Sequence, residues 1–380
     1  MQPHCMHIIP LAIFVTIRYT ERDMKRTHAN ICILMSLLLL LCACTETVAP
    51  ASPTSLLSPS PLAIEAEAAA LPSAEAPTPI LMPTPSPTPS PTPSPTPSPT
   101  PVPDLRFTMV WASDTQKMIT RASMRAGFQT VCRWIAEQAE AQRISIFLHT
   151  GDMVDDGDDA GQWTLFNGSV ERISESVPFF WAAGNHDEGP SYQSPWKKQP
   201  FVGTLPDGQK FNGGDASYMI FTVGETKLLL LSICWRKIGD SKTIAWLKAV
   251  CDAHSDLSAI LLSHGYLSAK KELMNVAKTL EKDLVAVCPN IRLILSGHAR
   301  GIARETFSYD DDGDGIAERT VNALMYDIQE DTAHYGYVCL LTYDPLNNTL
   351  SVDSYSPVRD DYVYDDDRAE LERFTICDVF

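Results

Sequence analysis

The chain has 380 residues and a formal net charge of −17, from 30 basic and 47 acidic residues. Its length and its hydrophobic content of 44% are enough for a large buried core. The acidic excess persists in residues 104–380, which hold 26 basic and 41 acidic residues. Such a body lacks the basic face that sequence-independent nucleic-acid binding requires, so we expect no nucleic-acid partner. A polybasic contact with anionic lipid is excluded on the same ground.

Residues 1–44 are predicted to be a leader. A basic start at residues 24–26 precedes an apolar run over residues 31–42, which has the length of a signal-peptide core and is short for a membrane span. The run ends in Leu-Cys-Ala-Cys, which resembles a bacterial lipoprotein signal and would leave the lipid on Cys44. We therefore expect an exported chain held to the outer face of the cytoplasmic membrane by that lipid alone, with Met24 as the true start. A signal anchor and free secretion are the alternatives.

Residues 45–103 are predicted to be a disordered tether. Of the 28 prolines in the chain, 18 lie between positions 50 and 103, and residues 83–101 alternate proline with Thr or Ser. This composition cannot build a core and favours an extended polyproline II conformation. The segment is therefore interpreted as a spacer between the leader and a folded body.

Residues 104–380 are predicted to form one α/β domain with a strand-rich end. Strands are expected where apolar and β-branched residues form short runs, at 105–112, 144–149, 178–182, 217–223, 227–233, 257–263 and 291–296. Helices are expected where apolar residues recur at helical spacing, at 120–141, 159–176, 241–254 and 269–287. Residues 320–356 are typical of further strands separated by turns. Strands that alternate with helices indicate mixed sheets covered by helices.

Polar residues cluster where five of these strands end. The five segments are Ser113-Asp114-Thr115-Gln116, Gly151-Asp152-Met153-Val154-Asp155, Gly184-Asn185-His186-Asp187, Ser263-His264-Gly265 and Gly297-His298-Ala299-Arg300. Ligands of α/β sheets bind beyond the carboxyl ends of the strands. Carboxylates, an amide and imidazoles gathered at such an edge indicate a metal site.

This order of motifs resembles the calcineurin-like metallophosphoesterase superfamily over about residues 105–345, and most closely its secreted branch with D-T-Q in the first motif. The resemblance implies a four-layer αββα sandwich with two mixed β-sheets. It also implies one or two divalent metal ions, of which Mn, Fe or Zn suit the imidazoles. The implied reaction is hydrolysis of a phosphomonoester or phosphodiester by attack of metal-bound hydroxide. We accordingly expect a small phosphoester as the substrate, and a monomer.

The resemblance also assigns roles to single residues. Asp152 would bridge the two metals, and His186 would act as general acid or charge stabiliser, oriented by Asp187. Asp155 would support the metal loop. The implied metal ligands are Asp114, Gln116, Asp152, Asn185, His264 and His298.

Two positions depart from the family pattern. Gln116 stands where the wider family has a histidine, and Arg300 stands where it has the last histidine of the final motif. A guanidinium cannot bind a metal. Arg300 then either clamps a substrate phosphate, replaces the charge of a weak or absent first metal, or is an ordinary surface residue. For the whole chain, the alternative to an enzyme is a surface binding module on a degenerate phosphoesterase scaffold.

Several features carry weaker predictions. Residues 310–315 match the start of a calcium loop but lack the glutamate at its twelfth position, so both a calcium site and an acidic surface turn are open. His149 is interpreted as a core histidine, and Gln329 as a residue that could approach the metals. The six cysteines beyond the leader are interpreted mainly as buried free thiols, with one or two disulfide bridges left open.

Overall fold

The computed structural model describes residues 104–174, 176–189, 209–329 and 334–380. These belong to one compact unit of the chain, Pro95–Phe380. The predictions for the leader, for Cys44 and for the tether lie outside the described residues. No helix within the described ranges is long and apolar enough to cross a membrane.

Strands dominate the described residues. They are β1 Phe107–Ala112, β2 Ile144–His149, β3 Phe179–Trp181, β4 Lys210–Phe211, β5 Ala216–Val223, β6 Thr226–Ile233, β7 Ala259–Ser263, β8 Ile291–Ser296, β9 Gly301–Tyr309, β10 Arg319–Asp327, β11 Val338–Asp344, β12 Thr349–Ser356, β13 Asp361–Tyr362 and β14 Phe374–Cys377. The predicted strands agree with these bounds to within about two residues at each end. Strands β4, β9, β13 and β14 have no counterpart among the sequence-based predictions.

Five α-helices accompany the strands in the same part of the chain. They are α1 Gln116–Thr120, α2 Arg125–Gln138, α3 Ala160–Ser174, α4 Ser241–Ala253 and α5 Lys278–Asp283. Short 3-10 turns lie at Trp235–Lys237, Asn275–Ala277, Val285–Val287 and Asp366–Leu371. Helices α2, α3 and α4 lie where the apolar periodicity predicts them.

The single helix predicted over residues 269–287 is wrong. Leu267 and Leu273 pair in a β-bridge, and the Met274 amide donates to the Tyr266 carbonyl at 2.8 Å. Lys271 adopts a φ of 65°, which no helix accommodates. Only α5 and two 3-10 turns remain helical, because these tertiary contacts outweigh the local helical pattern.

Two mixed seven-stranded sheets form the body. One has the order β13-β12-β11-β1-β2-β3, with β14 paired to β12, and the other has the order β4-β5-β6-β7-β8-β10-β9. Strands β1, β2 and β3 run parallel to one another, as do β6, β7, β8 and β10. The carboxyl ends of the strands within each parallel set therefore meet at one edge of their sheet.

Three apolar clusters separate four layers. Alternate residues of a strand point to opposite faces, so Met109 and Trp111 of β1 join the cluster shared by both sheets, while Val110 packs in a second cluster with helices α2 and α3. In β6, Leu230 lies in the shared cluster and Leu229 in a third cluster, which contains residues of α4. The order is helix, sheet, sheet, helix, and the predicted αββα sandwich with two mixed sheets is confirmed.

The cysteines of the described residues are all free. Five are buried, and Cys377 is exposed. The prediction of mainly buried thiols is confirmed, and a body of this size is stabilised by its core without covalent links.

Candidate metal centre

Two aspartates lie at the carboxyl ends of neighbouring parallel strands. Asp114 follows β1 and Asp152 follows β2, and both are about 2% exposed. Their φ angles of 53° and 54° lie in the left-handed region, and His298 beyond β8 has a φ of 71°. Non-glycine residues in this region carry strain, which proteins concentrate at functional sites. The backbone is bent at three points so that side chains of both sheets face one cleft.

His264 contributes an imidazole to the same cleft. One oxygen of Asp114, one of Asp152 and one ring nitrogen of His264 lie within 4.8 Å of one another. The Nε2 of His264 is 3.3 Å from Oδ1 of Asp152 and 3.2 Å from Oδ1 of Asn185. We call Asp152, Asn185 and His264 the imidazole half of the site.

The geometry around His264 fits a divalent cation. Its Nδ1 is 2.8 Å from the carbonyl oxygen of Thr150, so that nitrogen must carry a proton and donate it. This contact leaves Nε2 facing oxygens of Asp152 and Asn185, an arrangement that suits a cation or a second proton. A histidine whose other nitrogen donates to a carbonyl is the usual arrangement for a metal ligand.

The buried carboxylates and the His264 ring shift one another's pKa values. Burial opposes a charged ring, but the carboxylates of Asp152 and Asp114 raise the pKa of His264 to about 10. Burial would raise the pKa of Asp152, but the adjacent His264 ring lowers it below its ordinary value. Burial raises the pKa of Asp114 well above its ordinary range. A metal that binds here replaces a proton, so metal binding and proton release are linked.

His298 lies beside this cluster as a neutral ring. Its backbone amide donates to Asp114 at 3.0 Å, and its imidazole centre is 5.1 Å from that of His264. Burial, and then the charge of His264, lower the pKa of His298 to about 4. The centre of the Trp235 ring lies 4.4 Å from that of the His298 ring. A neutral imidazole held in this way has the protonation state that a metal requires.

The first-motif glutamine is buried next to Asp152. The Nε2 of Gln116 donates to Oδ2 of Asp152 at 3.2 Å and to Oε1 of Gln329 at 2.9 Å. The Nε2 of Gln329 donates to Asp114 at 3.4 Å and to Asp327 at 3.0 Å. We call Asp114, Gln116, Asp327 and Gln329 the amide half of the site. Gln329 thus lies against two predicted metal ligands.

His186 lies at the rim of the cleft with its side chain 40% exposed. Its Nδ1 is 2.6 Å from the carbonyl oxygen of Asp155, so Nδ1 donates and Nε2 is left toward the cleft, 4.0 Å from Oδ2 of Asp152. The carboxylate of Asp155 is also 3.6 Å from Nδ1 of His186. The sequence predicts that Asp187 orients the His186 ring. In the structure Asp155 contacts that ring instead.

Asp187 instead holds the loop that carries Asp152. Its Oδ1 accepts from the amides of Met153 and Val154 at 2.8 and 3.1 Å, and its Oδ2 accepts from Gly184 at 2.8 Å. Burial, and then the charge of Asp152, raise the pKa of Asp187 to about 7. These bonds tie the ends of β2 and β3 together and position Asp152.

Two glycines allow the backbone to approach the carboxylates. A Cβ at Gly184 would overlap the side chain and amide of Asp152. A Cβ at Gly297 would overlap the side chains of Asp114 and Ser113. Any larger residue at either position must displace a carboxylate of the site.

Arg300 is exposed next to the amide half. Its backbone amide donates to Oδ2 of Asp327 at 2.9 Å, and its side chain lines a cavity of about 230 Å³ that Asp327 and Gln329 also border. The structure therefore places Arg300 at the opening of the site.

The acidic segment predicted as a calcium loop or a surface turn is fully exposed. Oxygens of Asp310, Asp312, Asp314 and Glu318 lie within 4.8 Å of one another. The carboxylates of Asp310 and Asp312 accept hydrogen bonds from backbone amides of the same turn, at 2.5 to 3.1 Å. These bonds stabilise the turn with or without an ion, so calcium stays a prediction.

Sequence reasoning did not assign site roles to Trp235 and Asp327. Trp235 lies in a 3-10 turn after β6, a strand end with no polar motif. Asp327 ends β10, and only the parallel pairing of β10 with β8 brings it to the edge that holds His298. The one signal for Asp327 was its position two residues before Gln329.

The chain belongs to the calcineurin-like phosphoesterase family, whose family model matches residues 107–299, half of the chain. The matched range contains the imidazole half, Asp114, Gln116 and His298, and it ends before Asp327.

Among known proteins, the chain is 32% identical over 270 residues to the "Uncharacterized protein YvnB" of Bacillus subtilis (strain 168). The alignment covers 69% of this chain and 21% of that protein, so the chain spans about a fifth of the length of this relative. A solved structure, the purple acid phosphatase PPD1 of yellow lupin (Lupinus luteus), matches with a TM-score of 0.50 and 15% identity. That match covers 74% of this chain and 55% of the phosphatase, and it supports the fold.

Proposed function

We propose that this protein is an exported phosphoesterase that is anchored by lipid at Cys44 and hydrolyses a small phosphomonoester or phosphodiester. The observation that carries the catalytic part is the arrangement of His264, whose Nε2 faces oxygens of Asp152 and Asn185 while its Nδ1 donates to a carbonyl. A binding module has no need of an imidazole held ready for a metal. The extracellular location rests on the leader and tether sequences.

The metal, when bound, lowers the pKa of water and neutralises charge that develops on the phosphoryl group. Asp152, Asn185, His264 and His298 would hold one ion, and Asp114 and Gln116 would contribute to the other. Asp152 contacts members of both sets, His264 at 3.3 Å and Gln116 at 3.2 Å.

His186 is the proposed general acid. Its Nδ1–H donates to the Asp155 carbonyl, so as general acid the ring would carry a second proton on Nε2, which faces the cleft, and would give that proton to the leaving oxygen. The side chain is partly exposed, and solvent can therefore return the proton after each turnover. Asp187 supports the reaction indirectly, through the backbone that carries Asp152.

The first test is hydrolysis of p-nitrophenyl phosphate and bis-p-nitrophenyl phosphate by the metal-stripped full chain after addition of Mn²⁺. We expect a metal-dependent rate that falls about a thousandfold in Asp152→Asn, because loss of a bridging carboxylate removes several kcal/mol of transition-state stabilisation. The better substrate identifies a monoesterase or a diesterase.

The matched control is Asp215→Asn, since Asp215 is equally buried but pairs with Lys237 outside the site. Its activity should equal that of the parent chain. If the parent chain is inert with every divalent metal while it remains folded, catalysis is rejected and the surface binding module becomes the better hypothesis.

A second test concerns Arg300, for which we propose a contact with the substrate phosphate. Arg300→Ala should raise KM about ten- to a hundredfold and leave Mn²⁺ affinity unchanged, since the lost contact is a charge-assisted hydrogen bond. Arg300→Lys should recover part of the affinity but not the paired geometry. A fall in kcat with unchanged KM would instead favour the hypothesis that Arg300 replaces the charge of a metal.

The anchor is tested by radiolabelled palmitate in bacterial cells that express the full chain. The parent chain should take up label and sediment with membranes, and Cys44→Ser should do neither. A parent protein that sediments with membranes but carries no palmitate would support a signal anchor. A parent protein that stays in solution would support secretion.

A further inference from the structure

The carboxylate of Asp327 is buried beside the site with one oxygen unsatisfied. Asp327 ends β10, which runs parallel to β8, and it is 2% exposed. Its Oδ2 accepts from the Arg300 amide at 2.9 Å and from Nε2 of Gln329 at 3.0 Å. Its Oδ1 is buried and has no hydrogen-bond partner within the described part of the chain. A buried carboxylate in this state takes up a proton unless a cation contacts it.

A second unsatisfied oxygen lies on Gln116. Its Oε1 is buried and also lacks a partner among the described residues, and the side chain is 1% exposed. The orientation of the amide is fixed by its neighbours, because reversing it would place Oε1 against acceptor oxygens of Asp152 and Gln329. Oε1 is therefore an acceptor that is held away from every donor of its surroundings.

Gln329 connects the two unsatisfied residues. Its Oε1 accepts from Gln116, and its Nε2 donates to both Asp327 and Asp114. Each unsatisfied oxygen is thus on a residue that bonds directly to Gln329. Three buried carboxylates, those of Asp114, Asp152 and Asp327, surround this amide pair. Unsatisfied acceptors next to concentrated negative charge call for a cation with a preference for oxygen.

We propose that Asp327 and Gln116 complete, together with Asp114 and Asp152, an all-oxygen site for a second divalent cation. This inference rests on the proposed function, in which the imidazole half holds the first ion. Asp327 takes the place of the family histidine that is replaced here by Arg300. Gln329 is a positioning residue that keeps the two ligands in place. Because oxygen ligands favour Mn²⁺ or Mg²⁺ over Zn²⁺, the two halves differ in metal preference.

The test is Mn²⁺ binding to the metal-stripped full chain. Equilibrium dialysis counts the bound ions, and electron paramagnetic resonance shows whether they are coupled. The parent chain should bind two ions with the signal of a coupled pair. Asp327→Asn and Gln116→Leu should each lose the second ion, or bind it at least tenfold more weakly, and show the signal of an isolated Mn²⁺. The double variant should still bind one ion, since both changes affect the same site. Asp215→Asn, a buried carboxylate elsewhere, should retain two.

The outcomes separate this inference from the proposed function. Two coupled ions in both Asp327→Asn and Gln116→Leu overturn it, and so does a single ion in the parent chain that neither change affects. In both cases the imidazole half still binds its ion and the proposed function stands. No bound ion in the folded parent chain overturns both. If circular dichroism shows that Asp327→Asn is unfolded, Gln116→Leu alone decides, since it removes no charge from the core.

Discussion

The imidazole half and the amide half hold their candidate metal ligands by different means. In the imidazole half, a ring fixed by a backbone carbonyl faces two oxygens, and Asp187 secures the loop below through three backbone amides. In the amide half, two neutral glutamine side chains link three carboxylates to one another. The first half is supported by the main chain, whereas the second is supported by side chains.

This difference has a consequence for variation. A half built on backbone bonds keeps its geometry when neighbouring side chains change. A half built on a side-chain network depends on every member, because an unpaired buried polar group is costly. The departures from the family pattern, Gln116 and Arg300, both lie at the amide half.

The largest effect expected in this comparison comes from glycine substitutions. Gly184→Ala places a methyl group on the Asp152 carboxylate, and Gly297→Ala places one on Asp114. Displacement of a ligand by about 1 Å costs on the order of a hundredfold in rate. Phosphoesterase assays at saturating Mn²⁺ should show this loss for both variants.

Gly168→Ala is the control for that pair, because nothing lies within 4 Å of a Cβ at this position of α3. Its activity should be unchanged and its stability slightly higher, since alanine favours a helix by up to about 1 kcal/mol. If Gly297→Ala keeps full activity and only Gly184→Ala loses it, the amide half takes no part in catalysis.

Much of this arrangement could be predicted from the sequence. Asp114, Asp152, His264 and His298 directly follow short apolar runs, and a polar residue after a buried parallel strand points to the sheet edge where ligands bind. The alternation of strands and helices indicated mixed sheets covered by helices, and the resemblance to the superfamily implied the αββα sandwich. Local patterns thus placed at one edge those candidate ligands that stand next to their own strands.

The remaining features depend on pairing and direction. Asp327 reaches the site because β10 pairs in parallel with β8, which no local pattern specifies. The side-chain direction of Asp187 was equally open, since a carboxylate next to His186 can face either the ring or the backbone. The helix predicted over residues 269–287 failed because a bridge between Leu267 and Leu273 overrides the periodicity.

A smaller effect is expected at Asp187. Asp187→Asn puts an NH₂ group among three backbone donors, so at least one hydrogen bond is lost. Loss of support behind a ligand weakens metal affinity or activity roughly ten- to a hundredfold. Titration with Mn²⁺ should show weaker binding along with the slower rate.

The control for Asp187 is Asp240→Ala, which removes a carboxylate that accepts from a backbone amide at the start of α4. This variant should melt at a lower temperature and keep its activity, because the lost bond is a helix cap. Normal Mn²⁺ affinity in Asp187→Asn, together with an altered pH profile of kcat, would show instead that Asp187 orients His186.

The smallest effect is expected on the stability of a His149 variant. His149 bonds to the loops that carry one residue of each half, Asp152 and Gln116. Its Nδ1 accepts from the amide of Gly151, which precedes Asp152, and its Nε2 donates to Oγ1 of Thr115, which precedes Gln116. Burial lowers the pKa of His149 from 6.5 to about 3, so the ring is neutral in the folded protein. The interpretation as a core histidine fits this geometry, and the ring aligns both ligand-bearing loops.

The sign of the pH effect follows from that shift. Below pH 6.5 the unfolded chain binds a proton on His149, whereas the folded protein leaves the ring neutral. The free energy of unfolding therefore decreases as the pH falls from 6.5 toward 3. At pH 5 the loss from this ring is about 2 kcal/mol relative to neutral pH.

His149→Gln keeps one donor and one acceptor but does not titrate. Urea unfolding of the metal-free chain should therefore show a smaller decrease between pH 7.5 and 5 for His149→Gln than for the parent chain. His254→Gln, at the end of α4, should decrease as the parent does. Equal decreases in His149→Gln and the parent would mean that the ring is protonated in the folded protein, and the hydrogen bond from Gly151 to Nδ1 would then be lost.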